Sequence, residues 1–490
     1  MLKDLKSVSK DSIIYGIGNI ATKIVGFILI PIYTNPKFLS VSDFGVLSIL
    51  DITAQVLVAL FSLTLYQGFM RWYWDITDAL EQKKLFFTVL SFVSVLSIFF
   101  GLLLGFNSEW LSQVLYHTEQ YSRAIQLVII NAVLISIQTL PNSSLRIQGK
   151  SKLYTILSVT KFTLNLIFTV YFVVFLKRGI EGIFEAQIIG NLVYFAFAAR
   201  HIVTNSSFGL KYKVLKELLL YSYPLVFASM SGVLLTTIDR YSLNYLGSLP
   251  EVAIYSLGFK IGGSVKLFIV TSVQLALTPM MLKRINDPNN KRLYSKILTY
   301  FSFGLMWVIL GISIFSREII ILIAKNPEYI EATYIVPIIA MISFFGMAKD
   351  SVIIGLHVKK QTKIIGTLII IAGFVNLGLN MLMIPLWGIF GAAWASLAAQ
   401  FILFIITYSV AQRSYPIPYE MRKVVLIIII GLSLYLASQL TNNLNIWLRS
   451  SIKSIFIISY PLWFFIIPFF EKVEKESLQR FINKYSRRKR

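Results

Sequence analysis

Apolar residues run along this chain in long uninterrupted stretches, each closed by charged residues or by Gly, Pro and Asn. The stretches are about 20 residues long, which at 1.5 Å rise per residue crosses a ~30 Å hydrocarbon core. They predict fourteen membrane-spanning helices. The first seven cover residues 11–33, 44–66, 85–106, 124–145, 153–176, 183–203 and 218–238. The second seven cover 252–277, 297–315, 330–353, 364–384, 388–410, 424–440 and 452–470. The runs are too long for strands and lack the two-residue alternation of a membrane barrel. The fold class is an all-α integral membrane protein.

Composition agrees. Of 490 residues, 56% are hydrophobic and 14% charged, against about 25% charged in soluble proteins. The net charge of +23 does not point to nucleic acid, because the basic residues sit in short clusters between spans. Lys and Arg concentrate in one alternating set of connections, with both chain ends in that set, so the positive-inside rule puts those loops and both termini in the cytoplasm. The first apolar run has the length of a full span and reads as a signal anchor. With no cysteine, a disulfide, thiolate metal site or cysteine nucleophile is excluded. His117, His201 and His357 lie far apart at span ends and suggest interfacial imidazoles, with no metal or other cofactor. No GxxxxGK[ST] loop is present, so the chain carries no P-loop ATPase. Every loop is short and none holds a catalytic constellation, which argues against an enzyme.

The chain repeats itself. Leu145-Arg-Ile-Gln-Gly-Lys-Ser-Lys152 returns as Leu356-His-Val-Lys-Lys-Gln-Thr-Lys363, 211 residues on. Gly179-Ile-Glu-Gly182 returns as Gly388-Ile-Phe-Gly391, and Ser42-Asp-Phe-Gly45 aligns with Pro250-Glu-Val-Ala253. The expected organisation is a six-helix bundle over 1–210, a second copy over 211–420, and two added helices with a basic tail over 421–490. A six-helix offset preserves orientation, so the copies would be related by an axis along the membrane normal.

The stretch Val252–Pro279 carries Lys260 and Lys266 and no central carboxylate. A charge at mid-bilayer costs at least ~2.5–3.5 kcal/mol and is retained where it meets water or a partner. Lys23 in the first span and Lys161 in the fifth raise the same question. Lys23, Lys161, Lys260 and Lys266 are candidate cavity cations that attract an anionic substrate, although Lys161 could instead snorkel to the interface. Lys260 and Lys266 would point about 120° apart on an α-helix. Arg71, in FMRWYWD, could grip a phosphate bidentately or anchor the interface beside Trp72 and Trp74. Asp51 could pair with Lys23 or bind a coupling ion, and Glu185 is the other embedded acid.

The opening SVSKDSIIYGIGNIATKIVGFILIPIYTNPKFLSVSDFGVLSIL resembles bacterial polysaccharide repeat-unit flippases of the multidrug/oligosaccharidyl-lipid/polysaccharide exporter superfamily. Pro31, Tyr33 and Thr34 stand at the end of its first helix, and Asp43, Phe44 and Gly45 supply the acid and aromatic-Gly pair that follow. FMRWYWD, IYSLGFKIGG and PLWGIFGAAWASL are similar to further family stretches. The resemblance implies two six-helix bundles around a cationic cavity and an undecaprenyl-pyrophosphate-linked oligosaccharide as substrate, turned from the inner to the outer leaflet of the cytoplasmic membrane. It implies a monomer among membrane lipids, with a polysaccharide polymerase and a chain-length regulator as further partners of an O-antigen, capsule or other exopolysaccharide pathway. A lipid II flippase of the superfamily places cations on helices 1, 2 and 8, which Lys23 and Lys260 or Lys266 would match; helix 2 here offers Asp51 instead. The alternatives are a cation-coupled multidrug antiporter of the same architecture or a lipid II flippase. A scaffold or glycosyltransferase is a weaker third class.

Overall fold

The computed structural model describes residues 26–285, 287–467, 469 and 471. Its described residues are helical between short turns, and 11 stretches are long and apolar enough to cross a membrane. One of these, Thr362–Ser414, is two helices joined at Gly388, whose φ of 52° and ψ of −128° are not helical. Most of the first expected span, Lys23 included, lies outside the described residues.

Local chemistry explains where the helices begin. Ser40 opens the helix Val41–Ser62 with a capping box: the Asp43 amide donates to Ser40 Oγ (3.1 Å) and the Ser40 amide to Asp43 Oδ2 (2.9 Å). The helix Leu249–Ser264 has half of the device: the Glu251 amide donates to Ser248 Oγ at 3.5 Å, and Ser248 Oγ donates to Glu251 Oε2 at 3.0 Å. Both satisfy amides that a helix start leaves without partners. The Asp-Phe-Gly motif acquires a role for each residue. Asp43 caps, and Phe44 is fully buried against Tyr33 and Tyr329. A Cβ at Gly45 would run into the Leu249 carbonyl.

The repeated Leu-x-x-x-x-(Lys/Gln) segments make the same turn. The Lys150 amide donates to the Leu145 carbonyl and the Gly149 amide to Arg146. Likewise the Gln361 amide donates to Leu356 and the Lys360 amide to His357. This is the Schellman arrangement, which needs a left-handed residue, and Gly149 (φ 65°) and Lys360 (φ 57°) supply it. Gly179 (φ 58°) and Gly388 (φ 52°), also repeat mates, each open a helix.

Contacts divide the chain into two units, one comprising residues 1–257, 321–331 and 366–399, the other 258–320, 332–365 and 400–490. In the first unit, apolar side chains such as Phe69, Phe86, Val89 and Leu218 form a buried cluster. Polar residues add hydrogen bonds between helices, which hold membrane bundles together where hydrophobic burial drives little. Asn131 Nδ2 reaches the Phe184 carbonyl (3.0 Å) and Asn191 Nδ2 reaches Asn131 Oδ1 (2.8 Å).

In the second unit, the helices Met421–Gln439 and Ile446–Ile466 pack on Asn290–Ile314. Gly431 admits the side chain of Met306, and Phe303 stacks on Tyr460 with ring centroids 5.5 Å apart. The last helix begins earlier than the expected 452, at Ile446; on it Lys453 Nζ donates to Glu318 at 3.0 Å, and Arg449 forms an ion pair with the same carboxylate at 2.8 Å. Lys453 is only 1% exposed. At the opposite end of these helices, Glu420 accepts from Lys423, Thr299 and Lys296. Burial pushes its carboxyl up, but these hydrogen bonds outweigh burial and hold it below the ordinary carboxylate range.

Candidate functional site

The helix Val41–Ser62 does not continue as the apolar pattern suggests. Leu63 (φ 45°, ψ 24°) and Thr64 (φ 49°, ψ 21°) are both left-handed before the helix resumes over Leu65–Tyr73. Two such residues, one branched at Cβ, cost roughly 1–2 kcal/mol each. The break borders an open cavity of about 620 Å³ lined by helices of the first unit. Non-helical backbone at membrane depth is tolerated where it lines a polar cavity, and strain of this kind collects at functional positions.

The cavity wall mixes polar and apolar groups. Gln55, Asn142 and Gln187 present amides, while Ala54, Val58, Ile135 and Val233 present hydrocarbon. Asp51 and Arg146 are the charged residues lining it. Arg146 Nη2 donates to the Tyr154 hydroxyl at 2.7 Å, and its guanidinium lies 4.9 Å from that ring. Sequence reasoning passed over Arg146 because it stood in a repeated loop motif. The Schellman turn follows it at the end of Ser122–Ile147, where it is exposed on the cavity wall.

Asp51 has a second basic neighbour. Arg240, buried on the helix Tyr212–Leu246, lies within electrostatic reach of it and of Asp239. The span expected to end at 238 runs on to 246, which is why Arg240 escaped notice. Asp239, also buried, accepts the Tyr255 hydroxyl at 2.8 Å and Asn380 Nδ2 at 3.0 Å. Asn380 in turn donates to Asn376 (3.1 Å), and Asn376 to Ser396 (2.9 Å). Asn380 Oδ1 is buried with no partner among the described residues. A buried carboxylate beside an unpaired amide oxygen is chemically able to take up a proton or a small cation.

The other expected site residues are dispersed. Lys161 does not line the cavity; its Nζ donates to Gln138 Oε1 at 2.8 Å, and Gln138 Nε2 reaches Asn191. Glu185 is held in ion pairs with Arg178 (2.7 Å) and, more loosely, Arg123 (3.7 Å). Arg71 is exposed and bound to Asp75 at 2.6 Å.

Lys260 and Lys266 belong to the second unit, Lys260 half-buried and Lys266 exposed. From Val265 to Val270 the helix is a π-helix, so the 120° separation expected of a uniform α-helix does not apply. The Thr271 amide and hydroxyl both donate to the Lys266 carbonyl there. Asp350 is within electrostatic reach of Lys266, accepts Gln274 Nε2 at 2.8 Å and pairs with Lys349. Asp350 is thus the acid in this basic group, and Lys349 is a cation that the sequence reading omitted.

A family model described as "Polysaccharide biosynthesis protein" matches residues 36–326, more than half of the chain. Comparison with curated proteins gives no match. Among solved structures, a lipid II flippase, MurJ, in an inward closed conformation superposes with a TM-score of 0.75. It is 15% identical, and the match covers 92% of this chain and 99% of that one. An inward-facing multidrug resistance MATE family transporter of the MOP superfamily gives 0.63 at 14% identity, covering 82% and 93%. A MOP superfamily transporter from Pyrococcus furiosus, described as having a binding pocket of reverse polarity, gives 0.54 at 14% identity, covering 83% and 95%. The chain belongs to the polysaccharide biosynthesis protein family and is a multi-pass membrane protein on the fold shared by that lipid II flippase and the MOP superfamily transporters.

Proposed function

We propose that this protein is a flippase that carries undecaprenyl-pyrophosphate-linked oligosaccharide repeat units from the inner to the outer leaflet of the cytoplasmic membrane, with both termini in the cytoplasm. The observation that carries the reading is a roomy polar cavity inside a bundle of membrane-spanning helices, in a member of a polysaccharide biosynthesis family. A cavity of this kind suits a cargo with a polar head. Lys260, Lys266 and Lys349, on spans of the second unit, supply cations for the pyrophosphate. Lys23 and Lys161 belong to the same proposal as groups that raise the local potential, and Arg71 as a group near the cytoplasmic mouth. Positive potential raises the local concentration of an anionic substrate.

Moving a negative charge out of an inside-negative cell is favoured by ~2.3 kcal/mol per charge per 100 mV. Alternating access then requires rocking of one set of helices against another. Asp239 and its amide neighbours support coupling of that motion to a proton or cation. The family match favours a glycan over the drug cation of an antiporter. An O-antigen, capsule or other exopolysaccharide pathway would provide the cargo, with a polymerase and chain-length regulator acting after it.

The test is deletion of the gene followed by lipid extraction and leaflet-specific labelling. Lipid-linked repeat units should build up in the cytoplasmic leaflet, and the native gene should clear them while Lys266→Ala does not. Absence of that build-up would refute the proposal.

A further inference from the structure

We infer that the cavity of the first unit is a glycan subsite, which holds neutral sugar rings of the cargo by their hydroxyl groups. The inference rests on the flippase reading and assigns a chemical task to one part of it.

Charge is the first argument. The lining residues include one cation, Arg146, and one carboxylate, Asp51, so the wall is close to neutral. A pyrophosphate calls for net positive charge and a drug cation for net negative charge, and this wall provides neither.

Unused hydrogen-bonding capacity is the second. Among the described residues, Gln187 makes no side-chain hydrogen bond, although it lines the cavity on the helix Gly179–Asn205. Asn142 spends its Oδ1 on the Tyr194 hydroxyl (2.7 Å), leaving its amide donors. Gln55 makes one long bond, to the Asp51 carbonyl at 3.3 Å. Polar groups left unpaired in a wall require a ligand or water to complete them. Amides that both donate and accept match sugar hydroxyls, which do the same.

Shape is the third. Ala54, Val58, Ile135 and Val233 add hydrocarbon to the wall, which suits the C–H face of a pyranose. A volume of about 620 Å³ lies within the usual range of ligand pockets.

Binding to the full-length protein in lipid nanodiscs tests the assignment with two probes. One is synthetic undecaprenyl pyrophosphate. The other is the lipid-linked repeat unit extracted from the deletion strain. The native protein should bind the glycosylated probe at least about 10-fold more tightly than the bare one. Gln187→Ala should weaken the glycosylated probe roughly 10-fold, the loss expected of one hydrogen bond, and leave the bare probe within about twofold. Gln55→Ala, on a different helix, should act the same way and guards against a folding defect in the first variant. Equal affinity of the native protein for both probes, or equal weakening of both by these variants, would overturn the subsite and leave the flippase reading standing. Failure of the native protein to bind either probe would overturn both.

Discussion

Replacing Gly388 by alanine isolates what the hairpin at the repeated Gly-Ile-x-Gly motif requires. Two costs follow from the geometry. The backbone at φ 52°, ψ −128° is open to glycine and strained for any L side chain, at roughly 1–3 kcal/mol. The new Cβ would also stand 2.8 Å from Glu251 Oε1. That carboxylate is flexible but engaged, because Ser248 Oγ donates to its other oxygen at the helix start. Moving it costs a further ~0.5–1.5 kcal/mol, so Gly388→Ala should lose about 2–4 kcal/mol. Its repeat mate Gly179 is also left-handed at φ 58° but has nothing within 4 Å of an added Cβ. Gly179→Ala should therefore carry only the backbone cost, about 1–2 kcal/mol. Thermal unfolding of the purified variants in one detergent, read by intrinsic fluorescence, gives the comparison. Glu251→Ala combined with Gly388→Ala should return the clash portion as a coupling energy of about 0.5–1.5 kcal/mol. Equal destabilisation by the two glycine variants, with no coupling to Glu251, would refute the reasoning.

Two further outcomes depend on buried charge. Glu318→Ala strands Lys453 and Arg449 in a setting where they are 1% and 9% exposed at the side chain, and breaking such a buried pair costs roughly 3–5 kcal/mol. The loss should appear in the same unfolding assay, and Lys453→Met added to Glu318→Ala should recover part of it; no recovery would mean that Glu318 matters for another reason. Glu420 is the acid-sensitive partner at the other end. Its folded pKa lies below the ordinary value near 4.5, so its stabilisation is complete above that value and is lost as pH falls through the folded pKa. Glu420→Gln should flatten the acid limb of stability measured between pH 5 and pH 3, and an unchanged limb would contradict this.

Which features could be read from the chain follows from how far apart their causes lie. The spans were legible because lipid imposes one length on every crossing helix. The motifs around Asp43, Gly149 and Gly388 were legible as repeats because each is a local device of capping or reversal. Their partners lie a few residues away or at one fixed contact, such as Gly45 against Leu249. The break at Leu63–Thr64 left no such mark. Neither residue is glycine or proline, and the left-handed pair is imposed by packing rather than by propensity.

The charged residues divide the same way. Lysines inside apolar runs stood out, but where they lead depends on neighbours on other helices. Lys161 turns to Gln138 on the preceding helix. Arg146 and Arg240 were hidden because each sits where an apolar run gives way, although the helix itself continues past it. A run ends where hydrocarbon ends, whereas a helix ends where its hydrogen bonds do. The cations in the interval between those two ends include the one on the cavity wall and the one beside Asp51. In this fold, the residues just beyond each apolar run are therefore where substrate contacts should be sought first.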